Sequence, residues 1–246
     1  MNNSAFIVSS TTYAGEAGKL RKDFCIDYTS KKKKSLQRIN DEISKQVNDR
    51  GETITCRKGC PVCCVAYIEA NIQECEAIAF YLYEHPAVLA SFVARYNQWR
   101  VGISQISREF VRCEAILHQD PGLKLSSDDQ VVLLEVLKKY HRQSIPCSFL
   151  EGGDCSIHEV RPYVCANHLV STPEAWCRSE NWYEPNSANR PRIYMTNIDE
   201  LYETGFYVND LAKPVIGFMP AMVYRILTEG AAYIQKLTRY EKESIS

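Results

Sequence analysis

Apolar residues recur at helical spacing along most of the chain. Leu36, Ile39, Ile43 and Val47 fall three or four apart, on one face of a helix, and Gly51 supplies a stop. Ile72, Cys75, Ala79 and Leu82 make a second stripe, with Asn71 as its candidate N-cap. Pro86 breaks the chain or starts the next segment. The longest stripe passes through Leu89, Phe92, Tyr96, Trp99, Ile103, Ile106, Phe110, Cys113 and Leu117 and predicts one helix of about eight turns. Asp120-Pro121-Gly122 reads as the turn that closes it. Ser127-Asp128-Asp129 reads as an N-cap with acidic first-turn residues, leading into a helix over Val131 to Tyr140. Val223, Ile226, Leu227, Ala231, Ile234 and Leu237 suggest a last helix, with Pro220 near its start.

Residues 51–66 and 144–192 break this pattern. They hold most of the Gly, Pro and Cys and show little periodicity. A loop of nearly fifty residues in a compact domain is usually functional, or is held by something other than a hydrophobic core. The expected fold is therefore mainly α: one helical bundle-like domain over 1–246 with irregular cysteine-rich loops that bind metal. Residues 1–30 read as a flexible N-terminal segment and 193–246 as a C-terminal helical extension.

Charge narrows the function classes. Among 246 residues, 29 Lys and Arg face 30 Asp and Glu, for a net −1, and 45% are hydrophobic. These values exclude a disordered chain, which needs high net charge and few apolar residues. They also argue against a nucleic-acid partner, since there is no large positive field to gather phosphates. The run Lys31-Lys32-Lys33-Lys34 is short and reads as a solvated helix start. No stretch reaches 18 apolar residues, and Met1 to Ser10 has neither a basic region nor a long apolar one. Neither a membrane span nor a secretory leader is expected. The expected compartment is the cytoplasm, where structural disulfides are rare.

Eleven cysteines then need another explanation, and an odd number cannot pair fully within one chain. Cys75 and Cys113 lie on apolar stripes and read as small core residues. Cys25 stands alone and takes no role. The other eight fall in the two irregular segments. Cys56, Cys60, Cys63 and Cys64 put four thiols within nine residues. The Cys60-Pro61-Val62-Cys63 step resembles the C-x-x-C knuckle that aims two sulfurs at one metal. Side chains at adjacent positions usually diverge, so Cys63 and Cys64 either serve different metals or one of them supports the other from behind. A reactive or vicinal disulfide pair is the alternative.

Cys147, Cys155, Cys165 and Cys177 occupy the second segment. Gly152-Gly153-Asp154 reads as a hairpin-like turn that brings Cys147 and Cys155 together. Arg57, Lys58, Arg161 and Arg178 stand near these cysteines and would lower thiol pKa values and balance thiolate charge. His158 and His168 are substitute ligands or supports. His85, His118 and His141 sit near helix ends, the last two near C-termini, where a cation is favoured.

The pairing of Cys56-x-x-x-Cys60-Pro61-x-Cys63-Cys64 with Cys147-Ser148-Phe149-Leu150 and the block Cys155-Ser156-Ile157-His158-Glu159-Val160-Arg161-Pro162-Tyr163-Val164-Cys165 resembles a known family. This is the bacterial cysteine-cluster family described as zinc- or iron-chelating, whose relatives include flagellin lysine N-methylase-like proteins. The motifs cover about a third of the chain. The resemblance implies metal binding through Cys56, Cys60, Cys63, Cys64, Cys147, Cys155 and Cys165, with Cys177 as an eighth ligand. Two positions depart from the family pattern: His158 stands where Tyr is common, and Ala166 where Arg often follows the last motif cysteine.

Thiolate-rich sites suit zinc or iron–sulfur clusters. Four cysteines hold one zinc or one four-iron cluster, and eight hold two of either. The C-x2-C-x2-C spacing of bacterial ferredoxins is missing, which favours zinc over iron or an iron–sulfur cluster. Three functions fit: a structural metal protein with a protein partner, a metal-dependent enzyme acting on a protein substrate, and a metal carrier. A G-x-G-x-x-G loop that would support the methyltransferase version is absent from the sequence.

Overall fold

A computed structural model describes residues 13–118, 125–183, 186–195, 215–230 and 232–234. Among them five long helices come first: α1 (Gly15–Asp49), α2 (Ile72–Glu84), α3 (Pro86–Gly102), α4 (Ser107–Leu117) and α5 (Ser127–Arg142). The short α6 (Tyr163–Asn167) and α7 (Ser179–Trp182) lie in the cysteine-rich part, and α8 (Met219–Glu229) follows. Six short strands form three antiparallel two-stranded ladders. β1 (Glu69–Asn71) pairs with β6 (Ile216–Phe218), β2 (Leu150–Glu151) with β3 (Asp154–Cys155), and β4 (Leu169–Val170) with β5 (Ile193–Tyr194). No helix among the described residues is long and apolar enough to cross a membrane.

Helix α2 starts where the sequence places it. The Asn71 side chain accepts from Glu74 N at 2.8 Å, and the Glu74 carboxylate accepts from Asn71 N at 3.3 Å, so each satisfies an orphan donor of the first turn. Asn71→Ala is expected to cost about 1 kcal/mol, read as a lower denaturation midpoint. The α2 stripe Ile72, Cys75, Ile78, Ala79 and Leu82 is buried against Met222, Val223, Ile226 and Leu227 of α8. Residues 218–227 thus join the main core. Gly230 ends α8 after Glu229, and a further helical turn at 232–234 carries the buried Ile234. Ala231 and Leu237 of the predicted last helix lie outside the described residues.

The longest predicted helix is two helices. A 3-10 turn at Ile103–Ile106 separates α3 from α4. Gly102 is a poor helix former and lies flat against Ile145, whose Cγ2 would stand 3.2 Å from an added Cβ. The break lets Trp99 and Phe110, one from each half, pack edge-to-face at 5.3 Å and close on the same ring of Phe218, at 4.7 and 5.4 Å. That aromatic cluster compensates for the lost helical hydrogen bonds. Helix α5 begins one residue earlier than predicted, because Ser126 rather than Ser127 caps it, accepting from Asp129 N at 3.1 Å. Asp120-Pro121-Gly122 lies outside the described residues.

Residues 15–30, expected to be flexible, belong to α1, which is 35 residues and about 50 Å long. This helix is a strap. Its first half sets Tyr28 against Ala77 of α2, and its second half buries Ile39, Ile43 and Val47 against Tyr163 and Tyr194. The Lys31–Lys34 run lies mid-helix, not at a solvated start. Lys32 is buried, with Nζ 2.9 Å from Glu74 Oε1.

A second ion pair joins α1 to α2. Arg21 grips the Glu76 carboxylate through both of its oxygens, one at 2.6 Å. Burial pushes Glu76 up to about 7, and Arg21 opposes the shift. A carboxyl with a raised folded pKa contributes stability that is complete below its ordinary 4.5 and is lost as pH rises through about 7. Glu76→Gln, neutral throughout, is expected to flatten the fall in melting temperature between pH 4.5 and 8 (about 4.5 and 7 being the two pKa values). Parallel pH profiles for the two proteins would refute this.

Candidate metal centre

Backbone pairing between remote stretches builds the site. Thr55 N donates to Val170 O at 2.8 Å and Thr55 Oγ1 to Thr172 O at 2.6 Å, which lashes the first cysteine segment to β4. Gly59 has φ +83, a left-handed conformation that lets the chain double back between Cys56 and Cys60. A 3-10 turn at Val62–Val65 then presents Cys63 and Cys64. Cys147 N donates to Cys64 O at 2.7 Å, joining the two segments directly. The predicted hairpin is present: Gly152 and Gly153, at φ +58 and +93, form the two-residue turn between β2 and β3, and Leu150 stands opposite Cys155.

These links place Cys60, Cys63, Cys64, Cys147, Cys155 and Cys165 on the wall of one cavity of about 290 Å³. Cys56 and Cys177 stand outside that wall. Cys56 Sγ accepts from Val170 N at 3.2 Å, and Cys177 is buried beneath the 3-10 turn it ends. All eleven cysteines are free thiols. Cys25, Cys75 and Cys113 are fully buried. No three His, Cys, Asp or Glu side chains among the described residues form a closed ligand group as they stand. The cysteines share a cavity, not a single coordination point.

The electrostatics are those of crowded, desolvated thiols. Burial raises Cys56, Cys60, Cys155 and Cys165, and takes Cys147 and Cys177 up to about 12. Cys63 alone of the eight is lowered, to about 7, because the Cys64 thiol donates a hydrogen bond to it and Arg161 adds positive charge. The same bond raises Cys64. Backbone N–H groups act against burial at five sulfurs, Cys63 being served by its own. Val62 serves Cys60, Phe149 serves Cys147, Ile157 serves Cys155 and Val170 serves Cys56. In the first three the donor lies two residues after the cysteine. Such donors favour a charged sulfur over a neutral one.

No family model, no curated protein and no solved structure matches the chain.

Of the expected cations, Arg161 and Lys58 line the cavity. Arg57 lines it too and pairs with Glu174 at 3.2 Å, whereas Arg178 is exposed beside α7 and does not reach it. His158 and His168 both face the cavity. His168 is stacked on Trp182 at 4.8 Å, and burial takes it down to about 4. His118 and His141 are also lowered by burial, so desolvation overrides the cation preference of a helix C-terminus. The sequence reading missed Trp182, Tyr183 and the sulfur-directed amides. Phe149 and Ile157, each two residues beyond a candidate cysteine, were the available signal for the amides. Trp182 carried none, because its ring is placed by a fold the loop sequence does not encode locally.

The donor set fits a thiophilic cation in its chemistry. Soft sulfurs are unbridged and gathered from remote stretches, five receive backbone donors, and Arg161 stands against the charge that deprotonation would create. Coordination deprotonates thiols outright, which offsets their raised pKa values.

Proposed function

We propose that this is a metal-binding protein that holds zinc or iron through the cysteines of residues 56–64 and 147–177. Six of those cysteines, from stretches remote in sequence, line one cavity and none is bridged; that observation supports the reading most. Zinc is favoured by the missing ferredoxin spacing, and an iron–sulfur cluster is the other occupant the thiols would accept. Half-buried sulfurs suit a retained ion better than an exchangeable one, so a carrier role ranks below a structural one. The compartment in keeping with free thiols is the reducing cytosol, and a protein partner is the expected client. The resemblance to the bacterial cysteine-cluster family, carried by the motifs quoted above, points the same way.

Anaerobic purification followed by elemental and sulfide analysis tests this reading. Zinc without sulfide is expected. A brown protein with iron and inorganic sulfide would replace zinc by a cluster, and a metal-free protein after growth in metal-replete medium would overturn the proposal. Cys113→Ala is expected to leave metal content unchanged.

A second reading draws on the rest of the cavity wall. Tyr67, Phe149, Trp182 and Met219 add an apolar surface beyond the sulfurs, and about 290 Å³ approaches the size of a small-molecule site. That favours a metal-dependent enzyme acting on a protein substrate, of the flagellin lysine N-methylase-like kind. Incubation of the anaerobic protein with S-adenosylmethionine and lysine peptides checks it; absence of methyl transfer removes this reading and leaves the first intact.

A further inference from the structure

The adjacent cysteines Cys63 and Cys64 lie in the 3-10 turn Val62–Val65. Successive residues of such a turn point about 120° apart. Their thiols meet in one hydrogen bond, but their other neighbours differ: Cys64 is pressed by Cys147 and Cys165, whereas Cys63 also stands against Cys56 and Cys177. On one side, the 3-10 turn Glu174–Cys177 packs directly on Val62–Val65, and Arg57 pairs with Glu174 at 3.2 Å. Val170 N holds Cys56 Sγ at 3.2 Å, and Cys56 is an electrostatic neighbour of Cys177. On the other side, Cys64 O holds Cys147 N at 2.7 Å, the hairpin sets Cys155 opposite Leu150, and α6 carries Cys165. Cys60, Cys63, Cys64, Cys147, Cys155 and Cys165 line the cavity, whereas Cys56 and Cys177 do not, so the two groups meet along its wall. The electrostatic neighbours fall into two groups. Cys177 is pressed by Cys56, Cys63 and Cys60, and Cys165 by Cys147, Cys63 and Cys155. Cys63 thus sits on the seam, in contact with Cys64 and an electrostatic neighbour of both Cys177 and Cys165.

Resting on the metal-binding reading, we propose that the eight cysteines build two four-thiol centres: Cys56, Cys60, Cys63 and Cys177 in one, and Cys64, Cys147, Cys155 and Cys165 in the other. The first group has three members without the adjacent pair and gains its fourth from Cys63. The second group gains its fourth from Cys64, whose carbonyl is already tied to Cys147. Each centre takes one zinc-like ion or one four-iron cluster. Two tetrathiolate ions would each carry excess negative charge, and Arg161, Lys58 and Arg57 stand around the shared wall to offset it.

Cobalt(II) titration of the reduced, metal-stripped full chain under anaerobic conditions counts the centres by thiolate charge-transfer absorbance. The wild type is expected to saturate at about two cobalt ions per chain. Cys177→Ser and Cys56→Ser are each expected to halve the plateau, as are Cys155→Ser and Cys165→Ser. Cys177→Ser combined with Cys155→Ser should abolish it. If the protein carries iron–sulfur clusters as purified, about eight irons per chain is the equivalent result, against about four for one shared cluster. A wild-type plateau at one ion, a full plateau in Cys177→Ser, or loss of all metal in every single variant overturns the two-centre assignment but leaves metal binding standing. A chain that takes up neither cobalt, zinc nor iron overturns both. The wild-type count needs no variant to fold, so it decides even where a serine substitution fails.

Discussion

Replacing Lys32 with Met is expected to destabilise the protein by about 3–5 kcal/mol, the usual cost of leaving one partner of a buried ion pair uncompensated. The Glu74 carboxylate has no exposure to water, and the Lys32 side chain almost none. Glu74 accepts from three donors: Lys32 Nζ at 2.9 Å, Tyr163 N at 2.7 Å and Asn71 N at 3.3 Å. Two of these are neutral amides, so only the ammonium balances the charge. The Lys32 Nζ also stands 5.0 Å from the centre of the Tyr163 ring. Without it, a buried carboxylate must either protonate or draw in water. At roughly 2–4 °C per kcal/mol for a chain of this size, the melting temperature should fall by about 10 °C. Lys32→Met combined with Glu74→Gln should recover much of the loss, since removing both charges removes the uncompensated one. Equal destabilisation in the single and double variants would show that packing, not charge, dominates at this point. The pair also matters for the cysteines. Tyr163 opens α6, so the carboxylate that starts α2 fixes the approach of Cys165.

That three-way junction marks where the sequence was legible and where it was not. Local rules were enough for the Asn71 cap, the Pro86 start, the Gly152-Gly153 turn and the core placement of Cys75 and Cys113. Each depends on a residue and its near neighbours. Lys32 could not be placed that way. A lysine among lysines looks solvated until Glu74, more than forty positions away, is brought against it. The break at Gly102 is similar, because its cause is the contact with Ile145 and the shared ring of Phe218. For the site, composition alone marked the two cysteine segments. What it could not provide was how the two segments meet: the turn Glu174–Cys177 packs on Val62–Val65, and Cys147 N bonds to Cys64 O, contacts that no local rule foresees.

On the metal-binding proposal, removing the ion is expected to have the largest effect of all, and to act locally first. Structural zinc in small peptide sites contributes on the order of 10 kcal/mol of apparent free energy. Near the cysteines the loops have little regular structure: their ladders are two residues long, and isolated two-stranded pairs are marginal in water, although Phe149, Ile157 and Val160 anchor them in the helical core. The helices have a core of their own, in which α2, α3, α4, α5 and α8 share one cluster around Leu82, Phe92, Trp99, Phe218 and Val223. Chelation under reducing conditions should therefore leave most of the helical circular dichroism in place while loosening the backbone around the cysteines of residues 56–64, 147–155 and 165–177. The amides of Cys147 and Val170, which donate to Cys64 O and Cys56 Sγ, report this directly. Their hydrogen exchange should quicken by about a hundredfold or more, equivalent to ~2.7 kcal/mol of local opening. Tyr163 N, held by the Glu74 carboxylate, should change much less, because that anchor belongs to the α1–α2 pair rather than to sulfur. If all three amides exchange alike before and after chelation, the loops hold themselves and the metal is not what orders them. If the helical signal collapses together with the amides, the junction at Glu74 transmits the loss into the core, and Lys32→Met should then lower metal retention as well as stability.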